Sequence, residues 1–317
     1  SAASDVYKRQ VDIVSTDRFS SVESCRRLTG PMTAAVHVHG LTKIYGPTRA
    51  VDGLDLQIET GEVFALLGPN GAGKTTTVEI LEGFRSRDSG QVSVLGSDPA
   101  TAGAAWRDRI GIVLQSSGGL DLLTPREILR TTARLYERPR AVDEVIASVG
   151  LQQKADARIA GLSGGQRRRL DVALGIVGRP DLLFLDEPTT GFDPQARRDF
   201  WTLIESLAHE GTTIVLTTHY LDEAEHLADR VAVILGGRIV ALDTPTALGG
   251  RSAQEATVTW EEAGARHTEK TSAPTALVTA LHARLGGEIS ALTVTRPSLE
   301  DTYLALVSAH STPEQHS

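Results

Sequence analysis

Short continuous apolar runs alternate with polar stretches along this chain. Residues 63–67 (Val-Phe-Ala-Leu-Leu) and 182–185 (Leu-Leu-Phe-Leu) are too short for an amphipathic helix and read as buried strands. A further apolar run covers 110–114, and 213–217 reads as another strand. Between them the period changes. Apolar positions at Ile128, Leu129, Ala133 and Leu135 recur at three and four, so 99–180 is expected to be helix-rich, with helices over 104–109, 125–137, 142–149 and 164–177. Residues 34–98 alternate short strands and turns, interrupted by a helix from 76. The run 231–235, Gly236-Gly237 and 238–242 reads as a hairpin. The pattern is α/β, with its sheet core closing near residue 248.

A linker is expected at 249–252, followed by a second, α+β unit at 253–310. There a strand is expected over 256–260, a helix over 275–285, a strand over 289–295 and a closing helix over 298–307. Ser298 would cap that last helix, with Asp301 in its first turn. Residues 311–317 read as a disordered tail.

Chemistry concentrates between these elements. Gly68-Pro69-Asn70-Gly71-Ala72-Gly73-Lys74-Thr75 reads G-x-x-x-x-G-K-T, placed after one buried strand and before the helix that Thr76 begins. That is the context of a phosphate-binding loop. Gly68, Gly71 and Gly73 let backbone N–H groups converge on phosphate oxygens, and the helix N-terminus adds partial positive charge. Lys74 is placed for the β- and γ-phosphates and the Thr75 hydroxyl for Mg²⁺. Asp186 and Glu187 end the strand at 182–185, at the tip where α/β sheets gather their chemistry. Asp186 would hold Mg²⁺ through water. Glu187 would act as general base on the attacking water, a role worth roughly 10²–10⁴ in rate.

Leu162-Ser163-Gly164-Gly165-Gln166 opens the helix at 164–177. Ser163 resembles an N-cap, and Gly164 and Gly165 expose N–H groups at the positive end of the helix, a second anion site. An ordinary capped helix explains Ser163 equally well, but not the full five-residue motif between a phosphate loop and an acidic strand.

Together these motifs resemble the ATP-binding subunit of ABC (ATP-binding cassette) machines over about residues 34–248. The resemblance implies a P-loop NTPase cassette with a RecA-like sheet core, an antiparallel β subdomain and a helical subdomain carrying the signature Leu162–Gln166. It gives Tyr45 a stacking role on adenine, Gln115 a contact to Mg²⁺ and water, Asp193 a dimer contact and His219 a contact to the γ-phosphate. It gives Ser163, Gly164, Gly165 and Gln166 the γ-phosphate of the other protomer. Tyr45 read alone would be strand-edge packing, Gln115 a surface amide, Asp193 a helix cap and His219 a structural histidine. Phe192 stands where family members commonly carry Leu. The segment 116–123, with Leu120, Leu122 and Leu123, corresponds to the surface that meets a transmembrane partner, although ordinary core under a loop would look alike. Pro297-Ser298-Leu299-Glu300-Asp301 with Tyr303-Leu304 resembles the tail of daunorubicin-resistance-type exporters.

The resemblance thus implies an ATP- and Mg²⁺-dependent ATPase that closes head-to-tail, as a homodimer or with a similar cassette. It would power a separate permease from the cytoplasmic face of the membrane. The alternative is an ABC ATPase not coupled to transport. The repair type carries long coiled-coil insertions, the translation type usually two cassettes, and the iron–sulfur type lacks a 253–310 unit.

Composition adds bounds. With 40% apolar and 23% charged residues in 317, the chain has ordinary globular composition. No apolar run approaches the ~20 residues of a membrane span. A net charge of −8 without a long basic block argues against nucleic acid as a partner. The single Cys25 excludes an internal disulfide and a cysteine metal site. Residues 1–31 are expected to be foreign to the natural protein, which would begin at Met32, the only methionine. No signal-peptide pattern precedes it. Asp5-Val6-Tyr7-Lys8-Arg9-Gln10 is what GAT-GTG-TAT-AAG-AGA-CAG encodes, matching a transposon-end adapter. The rival reading is a genuine disordered arm.

Overall fold

The computed structural model describes residues 34–113 and 121–310. The leader, Gln115, most of the 116–123 segment and the tail lie outside the described residues.

A six-stranded sheet organises the cassette. It contains β3 (Val63–Leu67), β5 (Ile110–Val113), β6 (Leu182–Asp186), β7 (Thr213–Thr218), β8 (Arg230–Leu235) and β9 (Arg238–Asp243), in the order β5-β6-β7-β3-β8-β9. All neighbours are parallel except the β8–β9 hairpin at one edge. Both faces of the inner strands are covered, which is why β3 and β6 read as unbroken apolar runs. Alternate residues serve two different cores. Val63, Ala65, Leu67, Leu183 and Leu185 face the helices. Phe64, Leu66, Leu182 and Phe184 face a second layer built by β1 (Ala34–Tyr45), β2 (Thr48–Glu59) and β4 (Ser89–Val94). That layer is an antiparallel sheet ordered β2-β1-β4, registered by Val36 opposite Ile58 and Val38 opposite Leu56. The same core takes in α1 (Lys74–Leu81) and Trp106 of α2 (Ala104–Arg107).

The helical part contains α3 (Pro125–Ala133), α4 (Val142–Ser148) and α5 (Gly164–Ile176). Thr124 and Glu127 form a capping box that starts α3. The sequence predicts α3 to run to 137, but it stops at 133. The following residues tighten into i→i+3 bonds, from Leu135 N–H to Thr132 O and from Tyr136 N–H to Ala133 O. The Tyr136 ring then packs on Gly178, where a Cβ would lie 2.3 Å from it. Helices α6 (Pro194–His209) and α7 (Leu221–Leu227) flank the sheet.

Beyond β9, residues 249–252 are not a free linker. They lie within a 3₁₀ turn, Leu248–Ala253. Leu248 is fully buried, and Arg251 is tied to Pro245 O, Pro297 O and Glu225. A second sheet, β11-β10-β12, follows from β10 (Ala256–Glu262), β11 (Ala265–Thr271) and β12 (Thr293–Thr295). With α8 (Pro274–Leu285) it encloses a small core of Val258, Trp260, Leu281 and Ile289. The expected strand at 289–295 shrinks to its last three residues. Ile289 is drawn into that core, and Ala291 takes a positive φ of 50° in a turn. Strand β11 has no apolar alternation and is missed by pattern reading, because its side chains are almost all exposed. The closing helix α9 (Leu299–His310) is capped by Ser298 and Asp301, and Leu299 joins the cassette's main core rather than the small one.

Candidate functional site

The strand order places the carboxyl ends of β6, β7 and β3 side by side, and the phosphate loop, Asp186, Glu187 and His219 follow or end those three strands. The loop after β3 turns sharply between neighbours. Gly73 has φ 106°, and a Cβ there would lie 2.2 Å from Ala50 O of β2. A Cβ on Gly68 would lie 2.4 Å from Ile234 O of β8. These two glycines are therefore demanded by the sheets that press on the loop. Gly71, at φ 80°, meets only open space, and Pro69, Asn70 and Thr75 are exposed. Ala72 is buried, its N–H bonded to Pro69 O, and Thr76 is half-buried.

The Lys74 ammonium folds back into the loop, donating to Gly68 O at 2.7 Å and Pro69 O at 3.2 Å. Burial pushes it below its ordinary value, while the Glu187 and Asp186 carboxylates act in the other direction. No side chain caps the N-terminus of α1, whereas Thr124, Ser163 and Asp193 cap theirs. The first N–H groups of α1 are thus left for an anion, and a triphosphate fits this cradle.

At the tip of β6, Asp186 accepts a short hydrogen bond from the Thr217 hydroxyl of β7. Among the described residues no three His, Cys, Asp or Glu side chains cluster as a metal site. One carboxylate with the Thr75 hydroxyl still suits Mg²⁺, which keeps waters and is bound largely through substrate phosphates. Glu187 adopts φ 43°, a left-handed conformation that costs a non-glycine residue roughly 1–2 kcal/mol. Its N–H is shared between Thr217 O and Thr217 Oγ1, both at 3.1 Å. Its carboxylate lies 3.3 Å from His219 Nδ1 and 3.5 Å from the Thr190 hydroxyl. The His219 ring in turn lies 4.1 Å, centroid to centroid, from Tyr220.

Ser163 and Gln166 form a reciprocal capping box at the start of α5. A side chain on Gly164 would meet nothing, and one on Gly165 would make only an ordinary contact with Ala196. The fold itself does not require glycine at either position. Asp193 accepts from Gln195 N–H and Ala196 N–H at 2.9 and 2.8 Å, so it caps α6. Tyr45 stands apart at the end of β1, with the Lys43 ammonium and Arg85 guanidinium 5.5 and 5.4 Å from its ring centroid.

The structure thus brings Lys74, Asp186, Glu187 and His219 to one place. Ser163 and its glycines sit at the start of another helix. Two contributors escape the sequence reading. Thr217 looks like one more residue of a buried strand. Arg168 looks like part of a solvated Arg-Arg-Arg run, yet it is buried and donates to Asp186 O at 2.8 Å and Pro188 O at 2.9 Å. Its spacing from Asp171, 3.9 Å away and one turn on, was the available signal.

The family model described as ABC transporter matches residues 51–190. The daunorubicin/doxorubicin resistance ATP-binding protein of Streptomyces peucetius is 46% identical over 217 residues, covering 67% of this chain and 66% of that protein. The chain thus spans just under two thirds of that relative. A Nod factor export ATP-binding protein I of Paraburkholderia xenovorans (strain LB400) is 42% identical over 220 residues, covering 68% of this chain and 72% of that protein. Among solved structures, one described as the ATP-binding subunit of an ABC transporter shares the fold at TM-score 0.65 and 22% identity. It matches 87% of this chain and 100% of its own.

Proposed function

Because the chain belongs to the ABC transporter ATP-binding family, we propose that it hydrolyses ATP to drive an exporter whose pore lies in a separate polypeptide. The observation that carries this reading is the convergence of Lys74, at the start of α1, with Asp186, Glu187 and His219, at the ends of β6 and β7. Lys74 and the free N–H groups of α1 hold the phosphates. Thr75 and Asp186, with Gln115 from the segment outside the described residues, would hold Mg²⁺, which would supply positive charge to offset that of the phosphates. Glu187 takes a proton from water as the water oxygen attacks the γ-phosphorus. The bond to the β–γ bridging oxygen breaks, and ADP leaves. His219 orients the Glu187 carboxylate and reaches the γ-phosphate. Tyr45 takes the adenine.

One chain does not complete this site. The exposed Ser163 and Gly164, whose glycine the fold does not require, support a head-to-tail dimer in which each signature meets the partner's γ-phosphate. ATP then favours the closed pair and ADP does not, and only such differential affinity can shift a conformational equilibrium. The names of the relatives support export. Among the described residues no helix is long and apolar enough to cross a membrane, and Leu122, 83% exposed, supports docking to a membrane partner. Two measurements test the proposal. Purified chain should release phosphate from ATP only with Mg²⁺, and it should co-purify with a membrane protein encoded beside it. ATP binding without turnover would make it a regulator instead.

A further inference from the structure

The peptide bonds around Glu187 are held from outside. On one side, Glu187 N–H bonds to both oxygens of Thr217, while Asp186 O, across the same peptide plane, accepts from Arg168 Nη2 at 2.8 Å. That plane is pinned at both ends. On the other side, Pro188 O accepts from Arg168 Nε at 2.9 Å. Nε and Nη2 form one edge of the guanidinium, so a single rigid fork grips the two carbonyls that flank the glutamate. The pinned residue is the one with φ 43°. Such a conformation persists where the surroundings over-determine it. The Arg168 side chain is buried in α5, five residues beyond Ser163, with Asp171 beneath its other nitrogen.

We propose that Arg168 is a positioning residue for ATP hydrolysis, its forked grip on Asp186 O and Pro188 O aiming the Glu187 carboxylate at the attacking water. The inference rests on Glu187 being the general base. It also makes the signature helix the structural support of the base in its own chain. Lysine cannot substitute, because a point ammonium does not reproduce the planar fork.

The test compares Arg168→Lys and Arg168→Met with the parental chain in steady-state kcat and KM, in binding of a fluorescent ATP analogue and in thermal melting. Arg168→Lys keeps the buried charge and is the variant expected to stay folded. Its kcat should fall roughly 10- to 100-fold, the scale of a misplacement near 1 Å, with KM and analogue affinity changed less than about twofold. The same substitution is then placed in Glu187→Gln and read by single-turnover ATP cleavage. An arginine that acts through the glutamate has little further effect there. Parental kcat in folded Arg168→Lys overturns the proposal, as does an equal fold-loss in both backgrounds, which marks a merely structural arginine. Parental turnover by Glu187→Gln alone is a different failure. It removes the base, and the proposal with it.

Discussion

His219 Nδ1 stands 3.3 Å from Glu187 Oε1, across adjacent tips of β7 and β6. The imidazole therefore lies against the carboxylate of the proposed base. Glu187→Gln should keep ATP binding and nearly stop turnover, because an amide cannot take the proton of water. ATP held uncleaved should then hold a dimer, seen by size-exclusion chromatography with ATP and Mg²⁺. A monomer with undiminished phosphate release would sink the assignment.

Ser163 caps α5, and the same hydroxyl is proposed to meet the partner's phosphate. Asp is as good a cap as Ser, so Ser163→Asp should melt within about a degree of the parent. It also sets a carboxylate where the phosphate must approach. Turnover should fall at least tenfold while the monomer still binds ATP. If stability drops and turnover persists, Ser163 is a cap and nothing more.

Glu82 is buried at the end of α1, and burial, helped by Asp186 and Glu79, holds its carboxyl well above the usual carboxylate range. The folded chain therefore keeps a proton that the unfolded chain has lost. Stability is full below about pH 4.5 and declines as pH rises from there toward the folded value, by at most about 1.4 kcal/mol per pH unit. Glu82→Gln removes that loss. Its melting temperature should match the parent in acid and exceed it by a few degrees at neutral pH. A constant offset across the pH range would refute this.

Leu299 of α9 shares a core with Leu248, Leu227 and Val233. Leu299→Ala should cost about 2–5 kcal/mol and lower the main melting transition by several degrees. Two separate transitions, with only the smaller one shifted, would show that the C-terminal unit stands alone.

The strands and the phosphate loop are legible because doubly buried strands must be apolar and the loop's chemistry is local. Lys74 opens α1 after the loop that follows β3, and Asp186 and Glu187 stand at the end of β6. Residues whose roles depend on tertiary approach are not legible. Gly68 and Gly73 look like phosphate glycines, yet the closest atoms against them are Ile234 O and Ala50 O, from strands distant in sequence. Arg168 sits among arginines of which two face outward to Asp121 and Asp199, and only the packed helix separates them. Polar β11 carries no periodic signal, because its pairing with β10 lies in the backbone.

The position of Leu299 also bears on how the chain is made. Domains generally fold as units, the N-terminal ones first as synthesis proceeds. Here the core that β3 and β6 begin is finished by a helix among the last described residues, 236 positions after Val63. Until that helix leaves the ribosome, the nascent cassette carries an apolar notch at Leu248. A chain cut short by a frameshift near the end would keep every nucleotide-binding motif and still leave that notch open to chaperones and proteases.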